Sequence, residues 1–439
     1  MIRLFTVTCI LAATASFATA QPAADVTTAT FDPESAVAPA GSQVEGAGWK
    51  AGEGTVIHPT LGVETGYVSN VFYTQTNPTG AGILRLLAQI GTASLSQQRL
   101  NAANAEDQTG GDRGSLQYRA DLRLAYDFLL TGDHNISSTG GLTAGMSIHG
   151  LTNPMGSVSF GFDEDFNRLI RAANYETDAD TNRDINSLRL SLLFHPPGRT
   201  LSGYVYYQNL IDVFEKDTQH FANRMENVVG VRPQWQWLPQ TQLYLDISQG
   251  LMSGLGASSA KVTSYPLLAK AGLATLLNLN TTVNLEAGYT NGFYSAGPSY
   301  SGPVIGAQLG YRYSPLGRIT ALYNWQYQDS INANYYRDHV FQIAVRQMVE
   351  PVTFLVQPEL RLRNYTGITI VQGPPTRDDV IVSVLAGIHY NFRNWIAASL
   401  DYRLTIVQTD YRYMPLGGGT VDDPSYQRHE VLLGVRAAM

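Results

Sequence analysis

The sequence predicts an all-β fold: a closed antiparallel up-and-down transmembrane β-barrel of about 18 strands, within a range of 16–18. Three observations predict it. Apolar and polar residues alternate with a period of two in many successive segments, the connections between segments alternate between short and long, and aromatic residues lie near the segment ends. Because only a β-strand has a period of two, a wall with lipid on one side and water on the other would repeat this pattern.

The clearest strand spans residues 116–128, with the sequence LQYRADLRLAYDF. Its even positions are all apolar, from Leu116 to Phe128. Its odd positions are mostly charged or polar, namely Gln117, Arg119, Asp121, Arg123, Ala125 and Asp127. A soluble sheet rarely carries alternating Arg and Asp along one face for so long, whereas the water-facing wall of a barrel does.

The alternation returns repeatedly from Thr60 onward, and the connections supply an independent test. Turn formers such as Leu238-Pro239-Gln240 join some segments, and longer polar stretches join the others. Barrels of the outer membrane show this asymmetry, with short periplasmic turns and long outer loops. Residues 96–114 are long where a short turn is expected, and residues 131–135 are short where a long loop is expected. The strand count around residues 82–135 is therefore open. We expect Ile136 there to share an outward face with Leu142.

Composition agrees with a barrel and excludes other classes. The chain has 439 residues, of which 15% are charged, and no apolar run long enough for a membrane-spanning helix follows the first twenty residues. The formal net charge of -7 argues against nucleic acid as a partner. The single cysteine, Cys9, lies in the predicted signal, so we expect neither disulfides nor thiolate metal sites in the mature chain.

The chain divides into three predicted parts. Residues 1–20 read as a signal peptide, with Arg3, an apolar run and the cleavage site Ala18-Thr19-Ala20. Residues 21–55 are rich in Ala, Gly, Thr and Pro and are predicted to be a flexible periplasmic leader, or alternatively a partner-binding arm or small plug. Residues 56–439 form the predicted barrel, which places the protein in the cell outer membrane of a Gram-negative bacterium.

The first predicted strand carries a family resemblance. The segment from His58 to Phe72 contains Gly66-Tyr67 followed by Ser69-Asn70-Val71-Phe72, and it resembles the opening strand of a family of outer-membrane β-barrel porins. Val68 stands where that family usually has Asp, and Met439 ends the chain where such barrels usually end in an aromatic residue. Some members of the family accompany exopolysaccharide export systems, so the resemblance implies secretion of a polysaccharide.

We expect a set of charged side chains to face the lumen and to line the solute path. In chain order they are Arg119, Asp121, Arg123, Arg189, Arg224, Glu226, Arg232, Glu359, Arg361, Arg363, Arg403, Arg428, Glu430 and Arg436. An excess of Arg would lower the barrier to anions, including a polymer that bears acidic groups. The alternative is that these charges pair across strands and only solvate the wall.

The most acidic predicted outer loop spans residues 163–183 and is a candidate constriction. Its acidic residues include Asp163, Glu164, Asp165, Asp178 and Asp180. General diffusion porins fold the corresponding loop inward against Arg on the wall, so the resemblance in position implies an eyelet for small solutes. The alternative is a solvated surface loop, which would leave the lumen open to a polysaccharide.

Catalytic residues, metals and cofactors are not expected. The eight His are scattered, no pair has metal-ligand spacing, and Gly417-Gly418-Gly419 lacks the Lys that a phosphate-binding loop requires. Expected partners are outer-membrane lipid and lipopolysaccharide, the barrel assembly machinery and a periplasmic polysaccharide export protein. Three functions stay open: polysaccharide export, a general or anion-leaning diffusion porin for small solutes, and a rim-located enzyme or adhesion scaffold.

Overall fold

In the computed structural model, eighteen antiparallel strands pair in chain order. The sheet closes on itself where the last strand (Tyr426–Ala438) pairs with the first strand of the wall (Thr55–Val68). The structure describes residues 44, 46–51, 55–94, 115–154, 156–170, 182–368, 373–414 and 423–439. The predicted signal peptide and most of the predicted leader lie outside the described residues. The predicted closed antiparallel barrel of about 18 strands is confirmed.

The strands have 11–18 residues, which is long enough to span a membrane. The first half of the wall consists of β2 (Thr55–Val68), β3 (Ala81–Ser94), β4 (Leu116–Leu130), β5 (Gly141–Thr152), β6 (Val158–Leu169), β7 (Arg183–Phe194), β8 (Leu201–Phe214), β9 (Arg224–Leu238) and β10 (Thr241–Gly254). The second half consists of β11 (Leu267–Asn278), β12 (Thr281–Asn291), β13 (Ser301–Ser314), β14 (Gly317–Asp329), β15 (Tyr335–Val349), β16 (Val352–Thr366), β17 (Thr376–Arg393), β18 (Ile396–Thr409) and β19 (Tyr426–Ala438).

Three short elements lie outside this wall. Strand β1 (Trp49–Lys50) pairs with the start of β2, and the Gly48 N–H donates to the Met439 carbonyl at 2.9 Å. Helix α1 (His134–Ser137) and a 3-10 helix (Asp217–Ala222) lie in connections. The expectation that Ile136 lies on an outward strand face is wrong, because Ile136 lies in α1 and packs with Ile83 and Leu129 in a buried cluster.

The connections distinguish the two ends of the barrel. At the end where β2 begins and β19 finishes, most connections are tight turns, such as 279–280 and 315–316, and we call this the turn end. The opposite end, the loop end, carries most of the longer connections, and by the asymmetry of outer-membrane barrels it faces the outside. The long connection 95–115 lies at the turn end and the shorter 131–140 at the loop end, so the irregular region contains the expected number of strands.

The outer surface is an apolar belt. Residues that point outward are large and accessible, including Leu61 at 65% and Leu433 at 56% exposure, whereas the alternate positions carry buried polar groups such as Glu64. Aromatic side chains concentrate near the turn end, namely Trp235, Trp237, Tyr311, Tyr313, Tyr390, Phe392 and Trp395. An apolar belt with an aromatic girdle on a closed barrel is the arrangement of outer-membrane proteins, so the predicted location in the outer membrane is confirmed.

Among the described residues, no helix has the length and apolar character that crossing a membrane requires.

Replacing Leu309 with arginine tests the lipid-facing register. Leu309 lies in the middle of β13 and is 45% exposed on the outer face. Because an arginine near the bilayer midplane is costly, we expect L309R to lower the free energy of unfolding in lipid vesicles by about 2–4 kcal/mol. The control is Q308R, whose side chain enters the lumen and should cost much less. Equal losses for both variants would contradict the assigned register.

Candidate functional site

The lumen wall carries every residue that the sequence assigned to the solute path. All fourteen predicted wall residues, from Arg119 to Arg436, lie at positions that alternate with lipid-facing side chains. Most of their charges are paired in the structure. Arg361, for example, donates to Glu359 at 2.8 Å, and Arg119 donates to Asp121 at 2.8 Å. Their part in solute passage stays a prediction, whereas their pairing supports the alternative that many of them stabilise the wall.

A buried ion network closes the barrel seam. Arg85 on β3 donates to Asp127 on β4 at 2.6 Å and lies 3.5 Å from Glu64 on β2. Glu64, which is 1% exposed, accepts a bond from Arg436 on β19 at 2.7 Å. Because β2 and β19 are the strands that meet at the seam, we call Glu64, Arg85, Asp127 and Arg436 the seam network.

Similar pairs follow the wall around the lumen. Arg363 on β16 forms two bonds of 2.8 Å to Asp338 on β15. Lys270 on β11 lies 3.3 Å from Glu286 on β12. These cross-strand pairs neutralise most of the charge that the sequence places in the lumen.

Three lumen-facing arginines form a row across adjacent strands. Arg312, Arg318 and Arg346 are direct cross-strand neighbours on β13, β14 and β15, and all three face the lumen near the turn end. None of the three forms an ion pair with any of the described residues. Like charges placed directly opposite one another repel. Within the described residues, this arginine row is therefore a patch of three adjacent positive charges that no carboxylate neutralises.

The predicted constriction loop at 163–183 is wrong in its bounds. Asp163, Glu164 and Asp165 lie within β6, because Phe160, Phe162 and Phe166 continue the apolar alternation through them. Asp163 and Asp165 face the lumen, where Asp163 contacts His149 at 2.9 Å. Glu164 points outward and accepts a bond from Asn186 at 2.5 Å. Asp178 and Asp180 lie outside the described residues.

The described loops narrow the mouth at a different place. Pairing between β13 and β14 stops at Ile305 and Trp325, whereas β14 continues to pair with β15 up to Asp329. The tip of the β14–β15 hairpin, residues 326–334, therefore parts from β13 while its β14 arm stays paired with β15. A Cβ on lumen-facing Gly302 would lie 2.4 Å from the Tyr327 hydroxyl oxygen. The outer face of the tip thus packs on the inner face of β13, and the tip folds into the lumen.

Asp329 fixes this tip to the far side of the mouth. Arg224 on β9 donates to Asp329 at 2.5 Å and also to Asp212 at 2.8 Å. Lys261, in the connection between β10 and β11, lies 3.0 Å from Asp329 and also bonds the carbonyls of Ser330 and Ala333. Strands β9 and β14 are five steps apart, which is roughly 24 Å along the wall at 4.8 Å a step. An arginine alone could not span that distance.

Tyr294 completes this Asp329 cluster. Its hydroxyl donates to the Asn334 carbonyl at 2.9 Å and lies 3.3 Å from an Asp329 oxygen. Burial, reinforced by the Asp329 charge, raises the pKa of Tyr294 well above its usual value. The raised pKa agrees with the geometry, in which the protonated hydroxyl donates to the Asn334 carbonyl.

The histidines do not form an activated nucleophile within the described part of the chain. The Ser159 hydroxyl lies 2.6 Å from His195 Nε2, but it donates its proton to the Asn153 carbonyl at 2.8 Å. His389 lies 2.9 Å from Asp401, and the hydroxyl of the opposite Ser399 has no hydrogen-bond partner among the described residues. No group of three metal-ligating side chains occurs among the residues that the structure describes.

Several charged residues of the lumen and its mouth were not predicted from the sequence, notably Arg85, Arg318, Lys261 and Asp329. Arg85 lies in a strand whose two faces are both largely apolar, so its period of two is weak. Arg318 follows the turn at Gly317, and the alternation after it, through Thr320 and Asn324, could have identified it. Lys261 and Asp329 lie at a loop and a strand end, where periodicity carries no signal.

Comparison with known proteins finds similarity in structure alone. No protein-family model matches the chain, and no curated protein matches it. OccK2 (OpdF) of Pseudomonas aeruginosa, solved in complex with glucuronate, shares 9% identity over 87% of this chain and 98% of its own, with a TM-score of 0.46. OccAB4 of Acinetobacter baumannii shares 9% identity over 89% and 100%, with a TM-score of 0.45.

A siderophore receptor, PirA of Pseudomonas aeruginosa, is also similar, with 7% identity over 87% of this chain and 80% of that chain and a TM-score of 0.39. Identities this low do not indicate what this chain transports.

Proposed function

We propose that the barrel is a passive diffusion conduit for small solutes and that it favours anions. The arginine row carries this proposal. Because the other lumen charges are largely paired, Arg312, Arg318 and Arg346 dominate the field near the turn end. A wall of low dielectric constant focuses such a field into the water-filled path, which lowers the barrier for anions and raises it for cations.

The infolded tip supports small solutes over a polymer. Arg224 and Lys261 hold the tip across part of the mouth through Asp329. Polysaccharide export, which the family resemblance implies, would require the tip to leave that position. The described loops thus favour the diffusion conduit. Because a diffusion conduit needs no export partner, the proposal does not include the periplasmic export protein. Contacts with lipopolysaccharide and with the barrel assembly machinery stay predictions.

Replacing Arg318 with glutamine tests the anion preference. Arg318 lies between the other two arginines of the row, so its removal breaks the row at its centre. A unit charge about 4 Å from a passing ion changes that ion's energy in water by about 1 kcal/mol, roughly a fivefold change in relative permeability. We expect the chloride-to-potassium permeability ratio, measured from reversal potentials in a planar bilayer, to exceed one in the wild type and to fall toward one in R318Q.

The matched control is R199Q, which removes one positive charge from an exposed turn outside the lumen. Its permeability ratio should equal that of the wild type. A wild-type ratio of one or less, or an unchanged ratio in R318Q, would exclude an anion-favouring conduit. The same recordings separate small-solute diffusion from polymer passage, because a polymer conduit would be blocked by acidic oligosaccharides and the narrowed mouth would exclude them.

A further inference from the structure

The infolded tip leaves a break in the wall beside it. Strand β12 pairs with β13 up to Ser301, and β14 pairs with β15 up to Asp329. Between them, residues 301–304 of β13 and 326–329 of β14 do not pair with each other. This cleft, residues 301–304 and 326–329, opens between two strands of an otherwise continuous sheet.

A cavity of about 290 Å³ lies at the cleft, and we call it the cleft cavity. Its lining comes from both faces of the wall. Glu226 and Thr290 contribute from the lumen, whereas Ile305 and Trp325 are lipid-facing positions at the foot of the cleft. Tyr300 and Tyr327 also line the cavity, and their rings are stacked at a centroid distance of 5.0 Å.

One of the acidic side chains that line the cleft cavity has no ion-pair partner among the described residues. Asp246 lies 3.6 Å from Arg232, and Glu286 lies 3.3 Å from Lys270. The neighbouring Arg224 is held by Asp212 and Asp329. The Glu226 carboxylate, by contrast, forms no hydrogen bond or ion pair with any described residue. It lies against Gly250, where a Cβ would be 3.1 Å from its oxygen.

A second polar group at the cleft cavity, on its aromatic side, also lacks a hydrogen-bond partner among the described residues. The Trp325 indole N–H is buried and has no hydrogen-bond partner in the part of the chain that the structure describes. Glu226 and these Tyr and Trp rings line one cavity. A carboxylate together with aromatic rings recognises an organic ammonium, because the carboxylate supplies the charge and the rings attract the cation. Pockets that bind small molecules likewise combine a mainly apolar lining with few polar groups.

We propose that the cleft cavity binds organic amines that carry an apolar body. The ammonium group lies at Glu226, and the body lies against Tyr300, Trp325 and Tyr327. The cleft gives the apolar body a lining of aromatic and aliphatic side chains. The site is separate from the arginine row, which lies near the opposite end of the barrel, so it does not depend on the proposed anion preference.

Isothermal calorimetry of the purified full barrel in detergent tests the site without requiring ion flow. The probe is benzylammonium, compared with benzyl alcohol, which lacks the charge, and ammonium, which lacks the body. We expect saturable binding of benzylammonium at one site and at least tenfold weaker binding of the other two. In E226Q, which keeps the shape of the side chain, benzylammonium should bind at least tenfold more weakly.

The control is E215Q, which removes a carboxylate in a loop outside the cavity and should leave the affinity unchanged. Migration of unheated and heated samples in gels shows that each variant still forms a barrel. Equal benzylammonium affinity in the wild type and E226Q, or ammonium binding as tight as benzylammonium binding, would overturn the proposal. A barrel that binds benzylammonium but shows no anion preference would retain this site and lose only the proposed function.

Discussion

Replacing Asp329 with asparagine is expected to release the infolded tip and to enlarge the conducting path. Asp329 accepts a hydrogen bond from Arg224 at 2.5 Å and forms an ion pair with Lys261 at 3.0 Å. Hydrogen bonds to charged groups contribute about 1.5–3 kcal/mol each, so the loss of both shifts the ratio of closed to open tip by about a hundredfold or more. In single-channel recordings, D329N should show a larger current level and more frequent transitions than the wild type.

A second variant and a control make this test specific to the tip. Lys261 also bonds the backbone of Ser330 and Ala333, so K261M should produce the same open level. Asp410 is an exposed carboxylate at the loop end, and D410N should behave as the wild type. Neutral polyethylene glycols of increasing size report the width of the mouth. If the same polymers enter the wild type, D329N and K261M, the tip is not the constriction.

Replacing Glu64 with glutamine is expected to destabilise the barrel more than any other single loss of charge. Glu64 is 1% exposed and lies between Arg436 of β19 and Arg85 of β3. Removing one partner of a buried ion pair leaves the other charge uncompensated, at a cost of about 3–5 kcal/mol. We expect E64Q to lower the midpoint of urea unfolding in lipid vesicles, followed by tryptophan fluorescence.

The control removes an ion pair from a more exposed place. Glu215 accepts a bond from Arg168, whose side chain is 36% exposed, so E215Q should cost about 0–1 kcal/mol. A double variant, E64Q with R436Q, separates the pair from its members, since the second substitution should cost little after the first. A midpoint of E64Q as high as that of E215Q would show that the seam network does not hold β2 and β19 together.

The constriction shows how composition can mislead. The acidic run at Asp163, Glu164 and Asp165 reads as a solvated loop, yet the phenylalanines around it keep the period of two and place it in β6. The period was therefore a better guide than charge density. Among the described loops, the segment that folds inward is 326–334, a stretch with little charge that sequence patterns do not distinguish from an ordinary turn.

The architecture of the barrel was predictable from local signals. Alternation across residues such as Leu243, Tyr244, Leu245 and Asp246 assigns each side chain to lipid or to lumen, because adjacent residues of a strand point to opposite faces. Turn formers mark the turn end. Backbone groups in hydrocarbon must all be paired, so strands with these faces can cross a membrane only as a closed barrel.

The arrangement inside the barrel required the tertiary structure. Arg224 and Asp329 are 105 residues apart, and Glu64 and Arg436 are 372 residues apart. Periodicity shows that such residues face the lumen, but it cannot show which of them meet. That depends on strand register, on closure of the sheet and on where a loop folds.

The sequence by itself thus determined a membrane-spanning barrel with a charged lumen, because strand faces and turns are encoded within a few neighbouring residues. Only the tertiary structure decided that many lumen charges are paired, that Arg312, Arg318 and Arg346 have no ion pair with a described residue, and that the β14–β15 tip folds into the mouth. The physical reason is that the free energy of a charge depends on the partners within a few ångströms, and closure of the barrel brings those partners from distant parts of the chain.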